Sequence, residues 1–279
     1  MKTWTIRAGR SRRVVIFAVL IACATSITTG QQSTSGADPH SVAPLSPMAA
    51  DAHPSFEVAT IKPAHPGELK GGFTVGGHRI YIESQSVEDL LWFAFAVHQK
   101  QIVDGPAWLE TQKFDIVGQA DLEGIPNLRQ TQEMVQKLLE SRLNLKFHRE
   151  KRDLSIYAIT VAKGGPKLLK SAESSDALPT QSGGGSGGER ARKLTNNSMA
   201  DFALGMQSFL DRPVVDKTGL IGKYDFVLKW TPDEADGNDL RAAPGIFTAV
   251  QEQLGLKLEP TRGSTEVLVI DHVERPTEN

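Results

Sequence analysis

One cysteine, Cys23, is all the thiol chemistry in this chain of 279 residues. A single thiol closes no internal disulfide and builds no cysteine metal centre, so the fold rests on packing. Aromatic residues are few, at 6% of the chain. Zinc-type spacing is missing as well. His40, His53, His65, His78, His98, His148 and His272 include no i, i+4 pair, and histidines scattered in this way read as solvated surface groups. No cofactor and no metal are expected. Beyond Val14–Ala22 there is no long apolar run. Nine such residues rise about 14 Å as a helix, against about 30 Å for a bilayer core. A permanent transmembrane helix is therefore not expected.

What is present at the N-terminus points to export. Lys2, Arg7, Arg10, Arg12 and Arg13 precede the apolar run without any acid, which is the layout of a signal peptide over residues 1–22. Leu20-Ile21-Ala22-Cys23 reads as a bacterial lipobox. Lipidation of Cys23 would anchor the mature protein to a membrane, stably if two or more acyl chains are attached. Cleavage after Ala24 or Gly30 is the alternative and leaves a soluble product. Either route gives an exported protein, periplasmic or anchored to the outer membrane as a lipoprotein. Processing removes five cations and leaves 26 Lys and Arg against 33 acids. An acidic exported chain is a poor ligand for nucleic acid.

The strongest pattern is a repeat. Ser86-Val87-Glu88-Asp89 returns as Ser198-Met199-Ala200-Asp201, Phe114-Asp115-Ile116 as Tyr224-Asp225-Phe226, and Leu143-Asn144-Leu145-Lys146-Phe147 as Leu254-Gly255-Leu256-Lys257-Leu258. The offset stays between 110 and 112 residues. Both serines stand at capping-box spacing from an aspartate. Asn144 and Gly255 both suit the left-handed position that ends a helix.

These signals predict an α+β chain of two tandem β-α-β-β-α-β-β modules, each with two helices on a small mixed sheet. Residues 23–54 read as a flexible tether, 55–170 as the first module, 171–190 as a Gly/Ser-rich linker and 191–279 as the second module. Helices are expected over Val87–His98, Gln130–Leu143 and Ile246–Leu254. A hairpin is expected to close each module: Leu145–His148 with Leu154–Val161, and Leu256–Glu259 with Val267–Val273.

Local motifs give way to plain readings. Asp216-Lys217-Thr218-Gly219 matches part of the phosphorylation loop of P-type ATPases but has no nucleotide domain beside it. It reads as a turn in which Gly219 supplies positive φ. Residues 183–188 match Gly-x-Gly-x-x-Gly and 184–188 match Gly-x-Ser-x-Gly. Both motifs need a strand-turn-helix setting, whereas a low-complexity stretch generates them by composition. Candidate site residues are therefore non-catalytic. Asp115 and Asp225 are equivalent carboxylates that a pseudo-symmetric interface would pair. Trp92 and Phe93 lie on a helix that is apolar nearly all round, and one flank of it is a candidate partner surface.

Two resemblances follow from these residues. The helix, strand-pair, helix order with Leu254-Gly255-Leu256 resembles the short N-terminal modules of secretins and TonB-dependent receptors, which dock and assemble. Phe56-Glu57-Val58-Ala59-Thr60-Ile61-Lys62-Pro63, Gly105-Pro106-Ala107-Trp108-Leu109 and Arg212-Pro213-Val214-Val215-Asp216-Lys217-Thr218-Gly219-Leu220 are similar to a soil-associated exported family. That family, of unknown function, is expanded in acidobacteria. Its domain is also attached to metallopeptidases resembling the BlaR1 antirepressor. Their His-Glu-x-x-His zinc helix is absent here, so that activity is not implied. The expected function is non-catalytic binding of an envelope protein or peptide. The alternatives are an extracytoplasmic hydrolase, which needs a carboxylate of raised pKa near a His or Ser in a cleft, and the sensory domain of a signalling system.

Overall fold

The computed structural model describes residues 46–65, 71–172, 179–186, 188–232 and 243–277. The expected signal peptide, Cys23 and most of the expected tether lie outside the described residues.

The first half lays down β1 (Phe56–Pro63), β2 (Gly72–Gly76), β3 (Arg79–Ser86), α1 (Val87–Phe95), β4 (Ile102–Val103), α2 (Trp108–Thr111), β5 (Lys113–Ala120), α3 (Leu128–Arg142) and β6 (Lys146–Val161). The second half follows with β7 (Leu169–Lys170), β8 (Thr180–Ser186), β9 (Glu189–Asn197), α4 (Met199–Met206), β10 (Val214–Asp216), β11 (Tyr224–Trp230), α5 (Ile246–Leu254) and β12 (Leu256–His272). Alternation along β3 and β5 buries Ile80, Ile82, Phe114 and Ile116 on one face, where α1 and α3 cover them. Both helix starts are as expected. Ser86 and Asp89, then Ser198 and Asp201, form reciprocal capping boxes. Asn144 (φ 49°) and Gly255 (φ 64°) take the left-handed conformation after α3 and α5. Helix α1 stops at Ala96, short of His98, because Ala96 is already left-handed (φ 52°).

The α+β class holds, but the tandem arrangement does not. Three four-stranded sheets are present among the described residues, in the orders β1-β5-β3-β2, β10-β6-β12-β4 and β7-β11-β9-β8. The middle one belongs to both halves. Neither β6 nor β12 turns back as a hairpin. Each runs straight for 16 or 17 residues, and they pair antiparallel with each other from Leu256↔Val161 to His272↔Lys146. Short strands are exchanged across this ribbon, β4 pairing parallel with β12 and β10 with β6. Asp153↔Ser264 lies at the centre, and these two residues are themselves one repeat apart, which places a pseudo-twofold axis there.

Sharing extends to the two cores. Leu268 and Ile270 of β12 complete the first, while Ile159 and Tyr157 of β6 complete the second. The expected hairpin turn fell on Arg149-Glu150-Lys151-Arg152-Asp153. That run is charged because it crosses the solvated middle of the ribbon, where Arg149 pairs with Glu266 and Arg152 with Asp104. Local polarity marks a turn and an exposed ribbon in the same way. Thr180–Ser186, inside the stretch expected as a linker, is a strand paired with β9. No helix among the described residues is long and apolar enough to cross a membrane.

Candidate functional site

The two outer sheets match pair for pair, so the residues that differ at equivalent places stand out. Ile82 faces Phe73 and Ile116 in the first sheet, as Leu194 faces Gln181 and Phe226 in the third. Two residues back along the strand, Ile80 faces Val75 and Gly118, while Arg192 faces Gly183 and Leu228. Seven residues after each capping serine stand Phe93 on α1 and Gly205 on α4. Phe73, Val75, Ile80 and Phe93 thus correspond to Gln181, Gly183, Arg192 and Gly205.

The first corner is sealed. Phe73 and Phe93 stack with centroids 4.2 Å apart, and Ile80 is 0% exposed. The second corner is a polar recess. A Cβ on Gly183 would lie 3.1 Å from Arg192 Cγ, so the bare glycine lets the arginine cross β8. Arg192 Nη1 donates to Gln181 Oε1 (2.7 Å), whose Nε2 donates to Asn197 Oδ1 (2.9 Å) and to the Asp201 carbonyl (3.2 Å). A Cβ on Gly205 would stand 2.6 Å from Gln181 Oε1, so α4 approaches this amide closely only as glycine. The guanidinium of Arg192 lies 4.9 Å from the Phe209 ring centre and that of Arg190 5.7 Å. Phe209 in turn packs edge-on to Trp230 at 4.9 Å. Leu194, Phe202, Met206 and Leu228 form apolar walls of a shallow surface dent that encloses no cavity.

Burial alone pushes the Arg192 pKa below the usual guanidinium range, with no carboxylate acting against it. Among the described residues neither Arg190 nor Arg192 forms an ion pair, whereas Lys229 pairs with Glu189 and Arg212 with Asp211. Beside the recess runs β8, whose one neighbour in its sheet is β9 and whose residues 180–185 are exposed. Among the described residues no strand pairs with its outer row of main-chain groups.

The residues singled out from sequence sit elsewhere. Phe93 is buried in the sealed corner, and Trp92 is half-buried against the same core. Phe93 is therefore an internal packing residue and not part of an open flank. Asp115 and Asp225 do occupy equivalent places, but in separate outer sheets. Asp115 Oδ1 accepts the N–H of Ser84 (2.7 Å), and Asp225 Oδ1 that of Asn196 (2.8 Å). Ser84 and Asn196 are both left-handed, at φ 50° and 58°, so each carboxylate clamps an irregular strand end just ahead of a capping serine. The Asn196 bond, followed by one from Ser171, holds the Asp225 carboxyl below the usual range. Asp216 Oδ1 accepts from the Thr218 N–H and hydroxyl, and Gly219 has φ 68°, so that motif is a turn as read. The Gly-x-Ser-x-Gly match falls at the end of β8 and not in a strand-turn-helix setting.

Glu88 is the carboxyl displaced upward, to about 7, by burial and then by Glu110 and Asp89. No serine or histidine side chain bonds to it among the described residues. No cluster of three or more metal-ligating side chains occurs among them either. Gln181, Gly183, Arg192, Gly205 and Phe209 were not picked out from sequence. Part of the signal was there once the repeat was aligned at its offset of 112, which sets Arg192 against Ile80 and Gly205 against Phe93; Gln181 and Gly183 match Phe73 and Val75 only through the strand register.

Residues 88–273, well over half of the chain, match the model of a family described as "Protein of unknown function (DUF3738)". The chain belongs to that family. No curated protein and no solved structure matches it.

Proposed function

We propose that this protein is an exported, non-catalytic binding module of the bacterial cell envelope, tethered by lipid where Cys23 is acylated. It captures an extended segment of a partner protein or peptide as an extra strand on β8. One observation carries this reading: a glycine-rich strand edge with no partner strand among the described residues lies beside a polar recess where the sister corner is packed shut. Main-chain bonds along such an edge supply affinity, and a side-chain recess supplies selectivity. Nothing in the recess supplies a nucleophile or a general base. The resemblances to secretin-type docking modules, to the acidobacterial exported family and to domains joined to BlaR1-like metallopeptidases support recognition as the role. Residues 1–23 support the envelope as its place.

The test is selection of octapeptides from a displayed library on the mature protein. Each selected peptide is then remade with backbone N-methyl groups on one alternate set of residues or on the other. Strand addition predicts that one set abolishes binding and the other leaves it unchanged. Selected peptides indifferent to both sets, or no selected peptide at all, would sink the reading.

A further inference from the structure

The recess beside β8 has a chemistry of its own. Arg192 starts from β9, passes over Gly183 and ends at Gln181, so its guanidinium lies along the inner face of the edge strand. An added strand would lie about 4.8 Å beyond β8 and direct alternate side chains to that same face. One Arg192 donor is taken by Gln181. Its other N–H groups meet no acceptor among the described residues, and an aromatic face and four apolar side chains surround them. A cation kept partly dry without a counter-ion costs stability unless a ligand supplies one. A guanidinium fork matches a planar carboxylate edge to edge. A doubly charged phosphate would have to shed more water than one guanidinium and one neutral amide replace.

We infer that the Arg192–Gln181–Phe209 recess is a carboxylate-recognition subsite, reading an acidic side chain or a terminal carboxylate on the segment docked at β8. The assignment deepens the strand-capture reading and rests on it for its biological ligand. The subsite itself can be probed without any peptide. Butyrate, butyramide and inorganic phosphate are titrated into the mature protein while the Arg192 Nε–H and Trp230 indole N–H resonances are followed by NMR.

Butyrate should give a saturable shift of both signals at millimolar concentration, and butyramide none. Arg192→Gln should abolish the Trp230 response, whereas Arg190→Gln should weaken butyrate binding no more than threefold. Equal responses to butyrate and butyramide, or tighter binding of phosphate, would overturn the carboxylate assignment. A Trp230 response that survives in Arg192→Gln would do the same. A second arm compares the heptapeptide Thr-Val-Thr-Glu-Thr-Val-Thr, blocked at both ends, with its Gln counterpart and with the Gln peptide left free at its C-terminus. At least tenfold tighter binding of the Glu peptide assigns the group to a side chain, and the same gain for the free terminus assigns it to a chain end. Butyrate binding with no peptide binding would leave the subsite standing and remove strand capture. Peptides that bind without regard to charge would do the reverse.

Discussion

The two corners at β2-β3-α1 and β8-β9-α4 share backbone registers, capping boxes and left-handed residues, yet one is packed with apolar side chains and the other with polar ones. Phe73, Val75, Ile80 and Phe93 seal the first; Gln181, Gly183, Arg192 and Gly205 line the second. Equal backbones carrying opposite side-chain chemistry show that this scaffold does not demand a polar group here. Partly burying an arginine without a counter-ion where isoleucine fits costs stability, and such a cost is commonly kept where binding depends on it.

The sharpest way to break the comparison is to write the second corner into the first. Ile80→Arg would force an unpaired guanidinium into a site that is 0% exposed and already filled by stacked rings. A loss of about 4 kcal/mol is expected in urea unfolding. A loss below about 1 kcal/mol would mean that the first corner opens as readily as the second.

A smaller effect is expected at the seam between the halves. His98 Nδ1 accepts the Lys100 N–H (3.0 Å), which leaves Nε2 to donate to the Leu210 carbonyl (3.2 Å), so the ring is neutral. Leu210 is the residue that occupies the position of His98 in the second half. Burial holds the His98 pKa below 6.5; the Leu210 bond and Asp211 oppose this, and Lys100 adds to it. The contribution is therefore whole above the unfolded value and is lost as pH falls through the folded one. His98→Ala should cost about 2 kcal/mol at pH 7.5 and less at pH 5. Urea midpoints at the two pH values check this, and an equal cost at both would contradict it.

Writing the first corner into the second gives a gain. Arg192→Ile should stabilise the fold by about 1 kcal/mol while removing the butyrate response. Destabilisation instead would make Arg192 a structural strut and weaken the binding reading.

The smallest effect concerns Glu88, whose counterpart in the repeat is Ala200. Its folded pKa near 7 lies above the usual 4.5. The folded state thus binds the proton more tightly, and stability falls as pH rises from about 4.5 to 7. Glu88 is close to half solvated, so Glu88→Gln should gain no more than about 1 kcal/mol at pH 8 and nothing at pH 4. Thermal melts at both pH values measure it, and an equal gain at pH 4 would rule out titration as the cause.

Much of the local structure was legible from the chain. Ser86 with Asp89 and Ser198 with Asp201 cap helices because their spacing satisfies two orphan N–H groups in each case. Asn144 and Gly255 were readable because few residues tolerate the left-handed end of a helix. Helix α5 matched Ile246–Leu254 throughout. The site was far less legible. A short helix that is apolar all round does not say which side is covered, so its sequence leaves Phe93 a candidate for an open flank as readily as for the core where it packs. Asp115 and Asp225 were rightly matched as equivalent positions, but not as local clamps, because the left-handed Ser84 and Asn196 they hold carry no marker in the residue letters.

By itself, the amino-acid sequence determined the repeat, the helix limits set by caps and left-handed residues, the absence of thiol bridges and zinc-type spacing, and the α+β class. All of these depend on interactions between residues close together in the chain or on composition. Tertiary structure alone decided that β6 and β12 run through as one ribbon, that β4 and β10 are exchanged across it, and that Arg192 crosses Gly183 toward a sheet edge. The ribbon and its exchanged strands rest on pairings between residues 57 to 166 positions apart, such as Val214↔Tyr157 and Leu268↔Ile102, and Arg192 is set against Gly183 by the β8–β9 register. A charged run such as Arg149–Asp153 satisfies a turn and an exposed strand equally well. The choice between them lies in partners that the local sequence does not name.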